Sequence, residues 1–346
     1  MAINVGLLGF AHGHVGVYCE QWQKLADRPI HLAAAWDHDA TRAITAREKF
    51  DVQLYESSAE LLAHPHLDAV IIGAETSLHA ELVEQAAAAG KTIVLQKPLA
   101  LTMNEADRIV AAVARGRVPF TLAWQMRVDP QNLAMKHLVV SGQLGRIYMV
   151  RRRHGLSTHT WPGFEDTWHV KPELNRGMWA DDASHAIDFI LWLFGKPESV
   201  VAEIDTLRSP KVPDDHGIAI FRYADGAFAE VVSSFTCLAG ENTTEIVGEE
   251  GVIIQNYGDG PSCSAPRPKD AVGLKWLVKG AKQWTNSPIA TPHNHRERIE
   301  ALAPELLRFL RGERAPIATA EEGRTALGMT LGCYESAHAG RRVQIE

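Results

Sequence analysis

Asp181 and His185 stand four residues apart in a stretch, Gly177 to Gly195, that is patterned as a helix. That spacing sets two side chains over one another on one helix face. A carboxylate hydrogen-bonded to an imidazole fixes its tautomer and stabilises its protonated form, as a general base taking a proton from an alcohol requires. The same pair also suits an ordinary helix-surface contact, with Asp182 or Ser184 as a cap. A second candidate is Lys97, within Leu95-Gln96-Lys97-Pro98-Leu99. The apolar run Lys91 to Leu95 before it reads as a strand buried on both faces of a parallel sheet. Such strands deliver residues to the sheet's carboxyl edge, where ligands bind. Pro98 restricts Lys97 to extended backbone, which holds the ammonium at the strand end. The competing reading is a solvated loop lysine.

The elements that would position Lys97 follow a βαβ rhythm. Asn4–Leu8, His31–Trp36, Asp68–Gly73, Lys91–Leu95 and Phe120–Trp124 read as strands, and Ala40–Phe50, Ser57–Leu62, Ala80–Ala89 and Asn104–Arg115 as helices. Gly9-Phe10-Ala11-His12-Gly13-His14 follows the first strand, where a dinucleotide pyrophosphate sits in the G-x-G-x-x-G pattern. Gly9 keeps the first position, while Ala11 and His14 replace the second and third glycines. Two imidazoles near a helix N-terminus can partly compensate by donating to phosphate. Asp37 ends the second strand, where a carboxylate accepts from ribose hydroxyls and repels a 2′-phosphate. NAD is therefore expected as cofactor, with NADP kept open by Arg42. Asp37 also fits as N-cap of the helix that follows.

The remaining chain changes texture. A helix, Gln131–Ser141, and a strand, Arg146–His154, precede the loop Gly155 to Gly177, rich in Trp, His and Pro. Trp168 and His169 are of the types that line a polyol pocket, although such a loop can equally pack on itself as a lid. Ser199–Thr206, Gly217–Tyr223, Phe228–Thr236, Thr243–Val247 and Gly251–Gln255 form a mostly antiparallel sheet. Gly258–Asn286 reads as an irregular surface excursion, and Arg296–Arg311 and Glu321–Ala339 as helices. The whole is an α/β chain with a doubly wound parallel sheet first and a large, open, mostly antiparallel sheet second. Its 346 residues suit two domains, 1–125 and 126–346, with C-terminal helices free to return to the first.

A net charge of −7 argues against a nucleic-acid groove. The 4 cysteines are widely spaced without a zinc framework. No apolar run approaches the roughly 20 residues of a membrane helix, and no leader pattern opens the chain. A cytoplasmic location is expected. Among 16 histidines, only His12/His14 and His293/His295 are closely spaced, without a metal-hydrolase pattern.

Gly9 with its turn, Asp37, Ala88-Ala89-Gly90-Lys91, Lys97-Pro98-Leu99-Ala100, Asp181 with His185, Tyr334-Glu335-Ser336-Ala337 and Gly340-Arg341-Arg342-Val343 occur in this order. Together they resemble the Gfo/Idh/MocA family of glucose-fructose oxidoreductase and inositol dehydrogenase. The resemblance implies a Rossmann domain, a second α/β domain that commonly builds a homodimer or homotetramer, and hydride transfer between NAD(P) and a hydroxyl carbon of a sugar, cyclitol or related polyol. By position it makes Lys97, Asp181 and His185 the catalytic trio. It places Thr76, His79, Gln96 and Lys97 on the cofactor side, and Arg127, Trp168 and His169 with the trio at the substrate. Three departures stand out: Gln96 in place of the motif's glutamate, Ala74-Glu75-Thr76 in place of T-P-N, and the altered glycine loop. They leave two alternatives: a non-redox glycosidase or lyase using bound NAD, and a non-catalytic sugar- or nucleotide-binding regulator.

Overall fold

The apolar runs of the first third become six parallel strands: β1 Ile3–Leu8, β2 Ile30–Trp36, β3 Gln53–Leu54, β4 Ala69–Ile72, β5 Thr92–Leu95 and β6 Phe120–Leu122. In this computed structural model, which describes residues 2–256, 268 and 270–345, their order is β3-β2-β1-β4-β5-β6. This is the doubly wound order, in which the strand sequence reverses between β1 and β4 and opens a crevice at the carboxyl edge. Val5, Leu7, Leu8, Val70, Ile71, Ile72, Ile93, Val94 and Leu95 are fully buried, as strands covered on both faces must be. Each such side chain contributes roughly 1.5–3 kcal/mol of burial.

The chain divides into two units, 1–128 with 298–327, and 129–297 with 328–346. The late segment completes the first unit. Ala318 O accepts from Leu122 N at 2.9 Å, Thr121 Oγ1 accepts from Ile317 N at 2.8 Å, and Trp22 Nε1 donates to Ala303 O at 2.9 Å. The expected single helix Arg296–Arg311 is broken into His295–Glu300 and Leu302–Leu310. Pro304 lacks the N–H that would bond back to Glu300 O, so the winding is interrupted there.

Among the described residues the second unit holds nine strands: β7 Ile147–Gly155, β8 Ser199–Asp205, β9 His216–Arg222, β10 Phe228–Ser234, β11 Asn242–Gly248, β12 Gly251–Gln255, β13 Leu274–Val278, β14 Thr285–Asn286 and β15 Val343–Gln344. All pairings are antiparallel except β10 with β7. Two of these strands correct the expected irregular excursion Gly258–Asn286: the apolar run Leu274-Lys275-Trp276-Leu277-Val278 pairs with β12, and β14 pairs with it in turn. Residues 257–267 and 269 of that stretch lie outside the described residues. One face of the sheet packs Val150, Ala219, Phe221, Ala229 and Val231 against Ile187, Phe189 and Ile190 of the helix Ser184–Phe194. Alternate residues Ile218, Ile220 and Phe228 stay exposed on the other. Among the described residues no helix is long and apolar enough to cross a membrane.

The crevice end of β1 is set by close backbone approach. Gly9 has φ +87°, and a Cβ there would lie 2.5 Å from Ala74 Cα. Gly13 has φ −58° and open space where its Cβ would be. We therefore expect Gly9→Ala to cost at least about 1–3 kcal/mol, the range for non-glycine residues in this backbone region. Gly13→Ala should leave stability nearly unchanged. Urea denaturation of the two variants checks this, and equal midpoints would refute the steric account.

Candidate active site

At the carboxyl edge of the first unit, Gly9 N donates to Trp36 O at 2.8 Å and His12 N to Gly73 O at 2.9 Å, which folds the turn over the strand ends. The helix His14–Gln23 starts at Gly13 without a side-chain cap. Its first N–H groups and the open surface above Gly13 form a cradle that fits a pyrophosphate. Phe10, Ala11, His12, Gly13 and His14 thus line the place expected for it, with the His12 and His14 rings edge to face at 4.3 Å.

Asp37 is more heavily engaged than its position implied. Its Oδ2 accepts from Phe10 N at 2.7 Å and Arg42 Nε at 3.0 Å, and its Oδ1 from Asp39 N and Arg42 Nη2, each at 2.8 Å. A carboxylate has about four acceptor positions, and these four donors fill them. Direct acceptance from a ribose therefore requires one of these four donors to yield. The helix N-cap is Asp39, which accepts from Thr41 N and Arg42 N, and not Asp37.

Lys97 is 2 % exposed, a burial that lysine almost never shows without a specific reason. Its backbone N–H donates to Gln96 Oε1 at 3.3 Å, and Gln96 Nε2 donates to the Tyr18 hydroxyl at 2.6 Å. Burial raises the Tyr18 phenol far above its ordinary value, so it stays neutral. The Lys97–Pro98 peptide is cis. His79 lies behind this segment, with Nδ1 at 3.0 Å from Pro98 O and Nε2 at 3.2 Å from Ala74 O. Its ring packs between the two loops, and the neutral imidazole donates its single N–H to one of these carbonyls. Thr76 is buried and opens a 3₁₀ turn after β4. Arg127, expected at the substrate, is buried, with Nη1 at 2.8 Å from Glu322 Oε1 and 3.2 Å from Ile317 O of the late segment of its own unit.

The second unit carries a separate cluster. Trp179–Ala183 is wound as a π-turn before the helix Ser184–Phe194, a distortion that recurs at functional sites. It gives Asp181 and His185 partners that a plain i, i+4 reading did not supply. Asp181 Oδ2 lies 2.7 Å from His169 Nδ1, and His185 Nε2 lies 3.6 Å from Asp182 Oδ1. His154, at the end of β7, stands 3.9 Å from the same Asp182 oxygen, and its ring is 5.4 Å from that of His185. His154 Nδ1 is 2.5 Å from Asn242 Oδ1, which calls for the Nδ1–H tautomer. Sequence reasoning missed His154, Asp182 and Asn242 as site residues. The strand-end argument applied to Lys97 would have found His154.

The loop Gly155 to Gly177 packs on itself through a ring stack. Trp168 lies on His169 at 4.0 Å, Phe164 on His169 at 5.9 Å, and Trp161 meets Phe164 at 5.6 Å. His169 therefore links this loop to Asp181. Among the described residues no three His, Cys, Asp or Glu converge to hold a metal ion.

Comparison with known proteins adds identity to this geometry. Residues 3–123 match a family model described as the oxidoreductase family with NAD-binding Rossmann fold, and residues 132–254 match the GFO/IDH/MocA C-terminal domain. The chain is 22% identical to a myo-inositol 2-dehydrogenase of Thermotoga maritima over 99% of both chains. It is 29% identical to a levoglucosan dehydrogenase of Pseudarthrobacter phenanthrenivorans over 74% of both. Its fold matches that of levoglucosan dehydrogenase in complex with NADH, with TM-score 0.83, 21% identity and 100% coverage of both chains.

The environment of His79 makes a measurable difference to stability. Burial pushes its imidazole from the ordinary 6.5 down to about 4, against the raising effect of the Leu99, Ala74 and Pro98 carbonyls. Between these values the unfolded chain holds the extra proton and the folded chain does not. Stability is thus fully present above about pH 6.5 and lost as pH falls toward 4. The linked loss amounts to roughly 3 kcal/mol. His79→Gln removes the titration, so its urea midpoint should fall less than that of the parent between pH 6.5 and 4. Parallel curves would exclude this role.

Proposed function

As the chain belongs to the Gfo/Idh/MocA oxidoreductase family, we propose that it transfers a hydride between NAD and a hydroxyl-bearing carbon of a sugar, cyclitol or related polyol. The observation that carries this reading is the buried Lys97 at the carboxyl edge of β5, where an alcohol would be worked on. NAD, when bound, supplies the hydride acceptor. In the proposed mechanism the hydroxyl proton passes to His185, and the Lys97 ammonium stabilises the oxygen as alkoxide character develops. Asp182, 3.6 Å from His185 Nε2, is the carboxylate beside the acid–base group, and Asp181, one turn before His185, is tied through His169 to the substrate loop. Trp168 and His169, stacked on each other at 4.0 Å, are the aromatic groups of that loop proposed to border the sugar.

The substrate class also draws support from the relatives, whose names cover inositol, levoglucosan and anhydrofructose chemistry. We further propose that copies of the chain associate through the open face of the second sheet. Ile218, Ile220 and Phe228 are 40%, 38% and 37% exposed there, and their burial would complete the alternating pattern of those strands.

Purified protein should bind NADH and should reduce NAD in the presence of one or more cyclitols or anhydro sugars. His185→Asn should lower kcat about 100-fold or more while sparing NADH affinity, and Lys97→Met should lower it at least as far. Full turnover in both variants would end the proposal. Turnover of a glycoside with no net NADH formed would instead identify the non-redox alternative. For the interface, Ile218→Lys with Ile220→Lys should shift the light-scattering mass toward one chain, and a parent that is already monomeric would exclude it.

A further inference from the structure

Glu75 replaces the small or neutral residue of the related motif, and it is 3 % exposed although it lies in a loop. Its Oε1 is 2.8 Å from Arg42 Nη1, and its Oε2 is 2.9 Å from His38 Nε2. Arg42 meanwhile grips Asp37 with Nε and Nη2 and places Nη2 3.0 Å from His38 Nε2. The guanidinium is thus clamped between two carboxylates, one at the end of β2 and one after β4. Burial works against ionising Glu75, yet hydrogen bonds from His38, its own backbone and Arg42 hold its carboxyl below the usual range. Two carboxylates, Asp37 and Glu75, thus face the single guanidinium of Arg42.

We infer that Glu75 determines cofactor choice: by clamping Arg42 between two carboxylates, it excludes the 2′-phosphate of NADP. This inference rests on the reading of the first unit as a nicotinamide dinucleotide site. An arginine at this position is ordinarily a phosphate ligand, because its planar fork matches phosphate oxygens. Here Nη1 is spent on Glu75, and Nε and Nη2 on Asp37. A 2′-phosphate would meet a guanidinium whose Nη1, Nη2 and Nε are each already engaged by a carboxylate, with a second carboxylate beside it. Removal of Glu75's charge leaves one carboxylate against the guanidinium and loosens the hold on Nη1, since a neutral amide oxygen accepts more weakly than a carboxylate and an alanine not at all.

The test measures dissociation constants for NADH and NADPH by nicotinamide fluorescence and calorimetry, with no turnover required. The parent should bind NADH at least about tenfold more tightly than NADPH. Glu75→Gln should tighten NADPH binding about tenfold and change NADH binding far less. The double variant Glu75→Gln with Arg42→Ala should lose that gain, since it depends on the released guanidinium. Thermal melting of each variant confirms folding, and Glu75→Ala provides a second removal of the charge. An unchanged NADPH constant in both Glu75 variants overturns the inference, as does a gain that survives loss of Arg42 or an equal change for both cofactors. A parent that binds neither dinucleotide overturns the function proposed above. A parent that binds NADPH as well as NADH leaves that function standing and overturns only the role of Glu75.

Discussion

One imidazole joins the two loops on which the first unit's chemistry depends. His79 faces Pro98 O on one side and Ala74 O on the other, in a site from which water is excluded. Pro98 directly follows Lys97, and Ala74 is the residue against which Gly9 packs with no room for a Cβ. The lysine, the glycine turn and the acidic loop therefore share one buried fixed point. Placing a neutral ring there costs affinity for protons, and the return is a set of strand ends whose relative positions do not depend on mobile surface contacts.

The second unit solves the same positioning problem with a polar chain. Arg152 is 1 % exposed, stacks over Phe189 at 4.1 Å, and donates to Gln255 Oε1 at 2.8 Å. Gln255 Nε2 then donates to Gln131 Oε1 at 2.8 Å, Gln131 Nε2 reaches Thr291 Oγ1 at 3.3 Å, and Thr291 Oγ1 donates to Asn256 Oδ1 at 2.8 Å. Asn256 Nδ2 closes the line on Asn242 O at 3.0 Å, and the Asn242 side chain holds His154. Each link satisfies a buried group whose orphaning would cost about 1–3 kcal/mol. The alternation of β7 explains why only the middle one of three consecutive arginines takes part: Arg152 points inward while Arg151 meets Glu230 on the outer face.

Where the sequence was legible, the reason was periodicity or punctuation. Runs such as Val70-Ile71-Ile72 and Ile93-Val94-Leu95 could only be doubly covered strands, and Gly90, Gly142, Gly195 and Gly340 end helices with positive φ as their positions implied. Composition misled in one place, because the Pro, Ser and Lys of 258–286 concealed the apolar run of β13. Pairings between distant residues were out of reach. Asp181 with His169 depends on a π-turn and a ring stack, and Arg42 with Glu75 on the spacing of β2 and β4 across β1. Asp37, Lys97 and His185 could be singled out by position, with Arg42 and Gln96 beside them, whereas Glu75 as a partner of Arg42 and Asp182 as a partner of His185 depend on the fold.

The way the late segment 298–327 returns to the first unit governs the order in which this chain can be finished during synthesis. The free edge of β6 is met by Ile317 and Ala318, and Trp22 waits for Ala303. A nascent chain that has released residues 1–128 therefore holds nearly all of a nucleotide-binding sheet with one strand edge open and one indole N–H unmatched. Open edges template pairing with other chains, and that edge stays open until residues 317 and 318 have left the ribosome. Recombinant fragments cut at 128 inherit the same exposed state permanently, so the dinucleotide half of this protein needs residues 298–327 as well as the first 128.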